Sequence, residues 1–116
     1  MTVPSGPPPT QLESADLIVG TGATAVAGDT ITTNYVGACY SNGKVFDSSW
    51  TDGAPISFPL GEGQVIPGWD QGLVGMKVGG RRELIIPSNL AYGATGKGPI
   101  GPNSALIFIV DLTKVS

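Results

Sequence analysis

The sequence lacks histidine altogether and contains a single cysteine, Cys39. Without histidine the chain can form neither a Ser-His-Asp triad nor a Cys-His pair, and it offers no imidazole ligand to a metal. One cysteine closes no internal disulfide and builds no multi-cysteine zinc or iron–sulfur site. We interpret Cys39 as a small, half-buried strand residue, and we expect no metal and no other cofactor.

Charge is scarce as well, since only 13% of the residues are charged and the formal net charge is −3. The chain therefore has no basic surface of the kind that binds nucleic acid. The apolar run 106–110 is far too short to cross a bilayer, and residues 1–11 have neither the basic start nor the apolar centre of a signal peptide. We expect a soluble, cytoplasmic protein with no membrane partner; a secreted or anchored domain is the alternative if a leader was removed.

Glycine and proline, by contrast, are abundant, at 18 and 10 of the 116 residues. They separate short apolar runs, which is typical of many turns between short strands. The length fits one domain. Residues 1–11 contain four prolines and are predicted to form a flexible tail, which leaves residues 12–116 as a single domain.

Alternating apolar and polar residues predict that most of this domain is β-sheet. Over residues 29–40, threonine, valine and tyrosine recur with a period of two, which places Ile31, Thr33 and Tyr35 on one face. An Asn-Gly pair at 42–43 supplies a hairpin turn, because these residues tolerate positive φ. Further strands are predicted at residues 17–19, 45–50, 56–60, 81–86 and 105–115.

The stretch 65–75 has helical spacing instead. Ile66, Trp69 and Leu73 share one helix face. Pro67 suits the first turn, where a missing N–H costs nothing, and Gly75 suits the end. A helix this short is marginal by itself, so we expect packing against the sheet to hold it.

A long loop is the first indication of a site. Residues 87–104 are rich in glycine and proline, and structureless connections longer than about 12–15 residues are uncommon and often functional. If the strands wrap the short helix, several aromatic side chains converge, with Asp47 beside one of them. They could simply fill a core, but an apolar cup with a few polar groups is the usual form of a small-ligand or peptide site. The converging residues are Tyr35, Phe46, Trp69, Tyr92 and Phe108.

Two other patterns are weaker. Residues 20–25 fit the G-x-G-x-x-A sequence of dinucleotide-binding folds, but a β-alternating run follows where that fold needs a helix, so we interpret them as a glycine turn. Asp47, Asp52 and Asp70 could suggest acid–base hydrolysis, which needs two carboxylates at a set separation. Such residues are more often turn or surface positions.

A series of segments stands in an order and spacing that is specific, although each segment alone would be weak. They are residues 35–37 (Tyr-Val-Gly), 42–49 (Asn-Gly-Lys-Val-Phe-Asp-Ser-Ser), 63–69 (Gly-Gln-Val-Ile-Pro-Gly-Trp), 75–80 (Gly-Met-Lys-Val-Gly-Gly), 90–96 (Leu-Ala-Tyr-Gly-Ala-Thr-Gly) and Phe108. Through them, over roughly residues 17–115, the chain resembles the FKBP-type peptidyl-prolyl cis/trans isomerases.

The resemblance implies an α+β fold, in which an antiparallel sheet of five to six strands curls as a half-barrel around one short α-helix. It implies a rotamase that turns X-Pro bonds in peptides and unfolded proteins and so assists protein folding. It also implies a monomer without a cofactor, whose pocket takes macrolides such as tacrolimus or rapamycin. A non-catalytic proline-binding or chaperone module that uses the same pocket is the alternative.

Carried over residue by residue, the resemblance implies a proline pocket with Trp69 as its floor. Tyr35 would stand among the walls, and Asp47 and Tyr92 would be polar groups at the rim; these four are the implied catalytic residues. The residues implied to bind substrate are Phe46, Ile56, Val65, Ile66, Ile100 and Phe108.

The sequence departs from the family pattern at three places. Ile56 stands where the family often has an aromatic wall residue, and Asp52 lies near a position that is often basic. The flap segment 96–104, which would carry Ile100, is slightly shorter. The first and third departures bear on which substrates and inhibitors the pocket prefers.

Overall fold

Six strands and two short α-helices make up the part of the chain that the computed structural model describes, residues 6–98 and 100–116. The side chains of residues 51 and 52 lie outside that description. In chain order the elements are β1 (Glu13–Ile18), β2 (Thr30–Cys39), β3 (Val45–Ser48), α1 (Ser49–Asp52), β4 (Ile56–Pro59), α2 (Pro67–Gly72), β5 (Arg81–Ile86), a 3₁₀ turn (Ser88–Leu90) and β6 (Leu106–Val115).

All six strands join one antiparallel sheet in which β2 has the most partners. The strand order is β1-β5-β6-β2-β3, and β4 also pairs with β2. Because β6 lies along one edge of β2, β3 and β4 share the other edge, pairing with its C-terminal and N-terminal halves. The curled sheet with one helix packed against it is the predicted α+β fold, which is confirmed.

Side-chain alternation decides which face of the sheet carries the main core. On β2, Ile31, Thr33 and Tyr35 are buried, as the alternation predicts. Alternate residues of β6, from Leu106 to Leu112, join the same cluster. The opposite face of the sheet carries a second, smaller cluster, which comprises Ala38, Tyr40, Ile85, Ala105 and Ile107.

Helix α2 approaches β5 closely because glycine faces the strand. A Cβ atom on Gly68 would lie 2.5 Å from Cγ2 of Ile86, closer than non-bonded carbons approach. This contact presses Trp69 and Leu73 into the main core, where they are 4% and 1% exposed. The helix is held by packing against the sheet, as its length predicts.

The helix is shorter than the predicted stretch 65–75. It begins at Pro67, with Ile66 still extended as the N-cap, and it ends at Gly72. Gly75 has φ +87° and donates its N–H to Ala25, so it belongs to the turn that follows rather than to the helix end. Leu73 is the C-cap and is still buried in the core, which accounts for its helical spacing from Ile66 and Trp69.

Two strand predictions also change at their ends. The predicted strand 45–50 stops at Ser48, where the chain turns into α1. The predicted strand 17–19 is instead β1, which pairs with β5 from Glu13 to Ile18. All six residues of β1 are exposed, so no alternation of apolar residues marks it, and only its backbone pairing defines it.

The N-terminal segment lies partly outside the described residues, since residues 1–5 of the predicted tail 1–11 belong to the undescribed part. Of the rest, the Pro7 carbonyl accepts a hydrogen bond of 3.4 Å from the Tyr40 hydroxyl. Pro8 to Thr10 lie beside Pro87 to Asn89. Among the described residues, no helix has the length and apolar character needed to span a membrane.

Candidate functional site

A cavity of about 170 Å³ opens on the concave face of the sheet beside α2. All of the predicted site residues except Ile100 line this cavity, and Gln64 joins them. We call the cavity the cup. Its lining residues are Tyr35, Phe46, Asp47, Ile56, Gln64, Val65, Ile66, Trp69, Tyr92 and Phe108.

The deepest part of the cup is aromatic. The Trp69 indole meets Tyr35 and Phe108 edge-to-face, with ring centroids 5.1 and 5.2 Å apart. Phe46 packs edge-on against Phe108 at 5.7 Å. Such contacts are favourable beyond the area they bury and fix ring orientation. The ring contacts therefore make the floor rigid. The indole Nε1 is buried and has no hydrogen-bond partner among the described residues.

A glycine on β2 makes room for two of these rings. A Cβ atom on Gly37 would lie 2.5 Å from Cε1 of Phe108 and 2.9 Å from Cζ of Phe46. Gly37 stands two residues from Tyr35, so the strand that supplies the Tyr35 wall also admits the wall opposite. The packing of Phe46 and Phe108 therefore requires glycine at position 37.

Asp47 is the polar side chain that the cup holds most firmly. The Tyr35 hydroxyl donates a hydrogen bond of 2.5 Å to its Oδ2. Both residues are at least partly buried, and hydrogen bonds to an ionised acceptor are short and strong. The carboxylate is therefore fixed at the edge of an apolar cavity rather than turned into solvent.

Tyr92 brings a second hydroxyl to the cup from the long loop after β5. Burial raises the pKa of this phenol above its usual 10.0, and the negative charge of Asp47 raises it further. The hydroxyl therefore stays protonated at neutral pH and can donate a hydrogen bond. The Lys97 ammonium lies 5.4 Å from the centroid of the Tyr92 ring, which adds a cation–π contact on the same loop.

The three carboxylates that could suggest acid–base chemistry have different surroundings. Of the two whose side chains are described, Asp47 lines the cup and Asp70 does not. Asp70, in the first turn of α2, accepts hydrogen bonds from the N–H groups of Gly61 and Gly63, at 2.8 and 3.0 Å. Asp70 thereby fixes the loop that leads to Gln64, Val65 and Ile66 at the rim. The side chain of Asp52 lies outside the described residues.

Ile100 lies in the core rather than in the lining of the cup. It is 6% exposed and belongs to the main cluster. Its backbone N–H and carbonyl both bond to Lys97, at 2.9 Å each. Ile100 therefore anchors the flap segment to the main core.

Sequence reasoning did not single out Gln64 or Ser49. Gln64 is exposed and polar, so no apolar pattern marks it, although its place just before the rim residues could have done so. Ser49 is 2% exposed and bonds to the backbone of Tyr35. A buried serine has no signature in sequence, because the same residue is common on surfaces and in turns.

The chemistry available in the cup is binding, orientation and exclusion of water. Within residues 6–98 and 100–116, no cluster of three or more His, Cys, Asp or Glu side chains is placed to hold a metal ion. The one cysteine, Cys39, does not line the cup. The polar groups among the lining residues include a fixed carboxylate, the phenols of Tyr35 and Tyr92, and an exposed amide.

Comparisons with known proteins agree with this geometry. A family model for the FKBP-type peptidyl-prolyl cis-trans isomerases matches residues 22–113. An "FK506-binding protein" of Streptomyces anulatus is 54% identical over 114 residues, which cover 97% of this chain and 92% of the relative. The "Peptidyl-prolyl cis-trans isomerase FPR2" of Saccharomyces cerevisiae is 51% identical over 92 residues, covering 78% of this chain and 68% of the relative.

Two solved structures share the fold. The crystal structure of AtFKBP13 superposes with a TM-score of 0.86 at 42% identity, covering 94% of this chain and 96% of that one. The crystal structure of FkpA from Escherichia coli superposes with a TM-score of 0.83 at 44% identity, covering 90% of this chain and 48% of that one.

Proposed function

The chain belongs to the FKBP-type peptidyl-prolyl cis-trans isomerase family, and from this premise we propose that the cup is the site at which it rotates X-Pro bonds. The observation that carries the proposal is the convergence of Asp47, Tyr35 and Tyr92 on a cavity floored by Trp69. Proline, in this proposal, seats its ring on the indole, and the bond to be turned lies beside the polar groups.

The reaction breaks no covalent bond, and its barrier comes from the partial double-bond character of the amide. Amide resonance imposes about 18–20 kcal/mol on rotation, and a free X-Pro bond takes tens to hundreds of seconds to turn. The planar amide carries the larger charge separation, which the twisted amide loses. An apolar cup that removes water from the amide therefore disfavours the planar form more than the twisted form, which is differential binding of the transition state.

The aromatic walls supply the grip that this requires. Trp69, Phe46 and Phe108 offer edge-to-face rings that the structure already holds in place, so little conformational entropy is lost when a pyrrolidine ring enters. Ile56, Val65 and Ile66 close the apolar rim.

The polar groups orient the substrate. We assign the protonated Tyr92 hydroxyl as the donor to a substrate carbonyl. We assign the Asp47 carboxylate as the group that holds the Tyr35 side chain in place and keeps a negative charge at the rim of the cup. No proton is transferred and no covalent intermediate forms, so the reaction needs neither histidine nor a thiolate. The lack of histidine in the sequence is compatible with this chemistry.

We propose X-Pro peptides and unfolded protein chains as the substrates. The same cup would take FK506-type macrolides, such as tacrolimus or rapamycin, since relatives carry the name FK506-binding protein. Because Ile56 stands where the family often has an aromatic wall residue, we expect the affinity of the cup for macrolides to differ from that of relatives with the aromatic residue.

The test measures the rate of cis/trans exchange in a short X-Pro peptide by NMR exchange spectroscopy. Substoichiometric protein should accelerate the exchange, and an FK506-type macrolide should abolish the acceleration. Peptide resonances that shift on binding while the exchange rate stays unchanged would overturn the catalytic assignment and favour a proline-binding module.

A further inference from the structure

Asn34 and Tyr35 occupy a gap in the pairing of β2. On the edge of β2 away from β6, β4 covers residues 30–33 and β3 covers residues 36–38. The pairs Gly37 with Asp47 and Val36 with Ser48 would bring Ser49 opposite Tyr35 if β3 continued. It does not continue, because α1 begins at Ser49. Among the described residues, β3 and β4 therefore pair with β2 on either side of residues 34 and 35.

The Ser49 hydroxyl occupies this gap. The Tyr35 N–H donates to Ser49 Oγ at 2.7 Å, and Ser49 Oγ donates to Asn34 Oδ1 at 3.0 Å, with the Tyr35 carbonyl oxygen 3.3 Å away. Ser49 is only 2% exposed. Within a buried site, a satisfied hydroxyl of this kind restricts the backbone, and its removal takes a buried hydrogen bond from the Tyr35 N–H.

Tyr35 is thus held at both ends by one short segment of chain. Its backbone is bonded to Ser49, and its side-chain hydroxyl is bonded to Asp47, two residues earlier. Any change in the separation of β2 from residues 47–49 would move the Tyr35 hydroxyl relative to the Asp47 carboxylate. Both side chains line the cup.

We propose that Ser49 is a positioning residue of the isomerase site, whose hydroxyl fixes the separation of β2 from residues 47–49 and so keeps the Tyr35 hydroxyl on Asp47. Ser49 does not line the cup and acts only through Tyr35 and Asp47. The inference rests on the proposed function of the cup.

The test compares Ser49→Ala with a matched control on the same strand. Thr33 also has a fully buried hydroxyl, which has no hydrogen-bond partner among the described residues, and it lies two residues from Tyr35. Ser49→Ala should lower kcat for an X-Pro peptide roughly tenfold, since small displacements in a site are costly. Thr33→Val should leave kcat within about twofold, because no bond of that hydroxyl is lost.

A spectroscopic signature separates positioning from general loss of structure. The Tyr35 hydroxyl proton, bonded to a carboxylate, should give a downfield NMR resonance that exchanges slowly with water. Ser49→Ala should shift this resonance upfield and speed its exchange, Ser49→Thr should restore it together with kcat, and Thr33→Val should leave it unchanged. In a Tyr35→Phe background, Ser49→Ala should have little further effect on kcat.

Opposite results would overturn the inference. If folded Ser49→Ala keeps both the Tyr35 resonance and kcat, Ser49 does not position the pair. If Ser49→Ala does not fold, Ser49→Cys replaces it: a thiol is only a weak donor and acceptor, so it should still lower kcat and shift the resonance, and full kcat with an unchanged resonance would refute the inference. Failure of the wild-type protein to accelerate peptide exchange would overturn the proposed function, whereas the Tyr35 resonance would still report whether Ser49 holds the pair.

Discussion

At the scale of single residues, the cup depends on one carboxylate and two tyrosine hydroxyls, of which one binds the carboxylate. Tyr35 donates to Asp47 at 2.5 Å, whereas the Tyr92 hydroxyl has no protein acceptor among the described residues. The first hydroxyl is committed to the protein, and the second remains available to a substrate. Tyr35 and Tyr92 therefore have different roles although both line the same cavity.

Removal of the available hydroxyl should reduce activity without unfolding the protein. We expect Tyr92→Phe to lower kcat/KM by roughly 2- to 12-fold, the equivalent of one hydrogen bond of about 0.5–1.5 kcal/mol. Peptide exchange measured by NMR checks this value. Tyr40→Phe is the matched control, because Tyr40 lies on the opposite face of the sheet and bonds to Pro7. Equal loss in both variants would contradict the assignment.

The charge of Asp47 should be visible in the titration of Tyr92. Burial is the larger cause of the raised Tyr92 pKa, and Asp47 is the second, so Asp47→Asn should lower this pKa but leave it above 10.0. Ultraviolet titration of the phenolate at 295 nm, with Tyr92→Phe to identify the signal, measures the change. An unchanged titration would mean that the carboxylate does not act on Tyr92. Asp47→Asn should also lower kcat while the protein stays folded.

The same shift gives a sign to the dependence of stability on alkaline pH. Because the folded state holds the Tyr92 proton more tightly than the unfolded state, its contribution is fully present below pH 10.0 and is lost as pH rises through the folded pKa. Urea unfolding above pH 10 should therefore show a steeper loss of stability in the wild-type protein than in Tyr92→Phe. If the stabilities of the two proteins fall equally with pH, the raised pKa of Tyr92 is contradicted.

At the scale of elements, α2 is too short to be stable alone and depends on its attachments. Arg82 on β5 supplies one of them. Its guanidinium donates to the carbonyls of Gly72 and Val74 at the end of α2, at 2.8 and 3.1 Å, and to Asp16 on β1 at 2.7 Å. One side chain thus connects the helix that carries Trp69 with two strands.

Arg82 should matter more than its neighbour Arg81. Arg81 forms a bidentate pair with Asp111, but its side chain is 43% exposed, whereas that of Arg82 is 12% exposed. Exposed pairs contribute about 0–1 kcal/mol, whereas hydrogen bonds to charged groups contribute about 1.5–3 kcal/mol; of the Arg82 acceptors, Gly72 is buried and Val74 is exposed. We expect urea unfolding to show a loss of about 2–3 kcal/mol for Arg82→Ala and of no more than about 1 kcal/mol for Arg81→Ala. Comparable losses would mean that the bonds to α2 contribute little.

The close packing of α2 against β5 predicts a change in stability opposite to the one that helix propensity alone predicts. Alanine is favoured over glycine inside a helix by about 1 kcal/mol, yet a Cβ on Gly68 would press against the branched side chain of Ile86. We expect Gly68→Ala to destabilise the protein by about 1–3 kcal/mol, measured by thermal or urea unfolding. A stabilised variant would show that the helix can move away from β5 without cost.

At the scale of the whole molecule, one sheet serves as both core and binding surface. Trp69 and Phe108 belong to the main buried cluster and also line the cup. The site is therefore an opening in the core rather than a structure added to the surface. A substitution that loosens the core should loosen the cup with it.

This shared construction predicts a single cooperative transition. Trp69 fluorescence reports on the cup, and far-ultraviolet circular dichroism reports on the sheet. Their urea transitions should coincide, as expected for a small two-state domain. A Trp50→Phe variant removes the signal of the exposed second tryptophan. A fluorescence change that precedes the loss of the sheet would indicate that α2 and the cup unfold separately.

The sequence by itself determined which residues could share a face and which chemistry was unavailable. The alternation over β2 and β6 settled the inward positions of Tyr35 and Phe108, because side chains on a strand point alternately to its two faces. The helical spacing around Trp69 and the order of the motifs pointed to the same cup. The absence of histidine excluded a catalytic triad from the outset.

Only the tertiary structure decided how those residues are held. That Asp47 accepts from Tyr35, that Ser49 occupies the gap in β2 and that Arg82 binds the end of α2 all follow from pairing between segments distant in the chain. The end of β1, the early stop of β3 and the core position of Ile100 have the same origin. Local pattern records the preference of each residue for a face, whereas register, burial and the distance between two polar atoms are properties of the folded sheet.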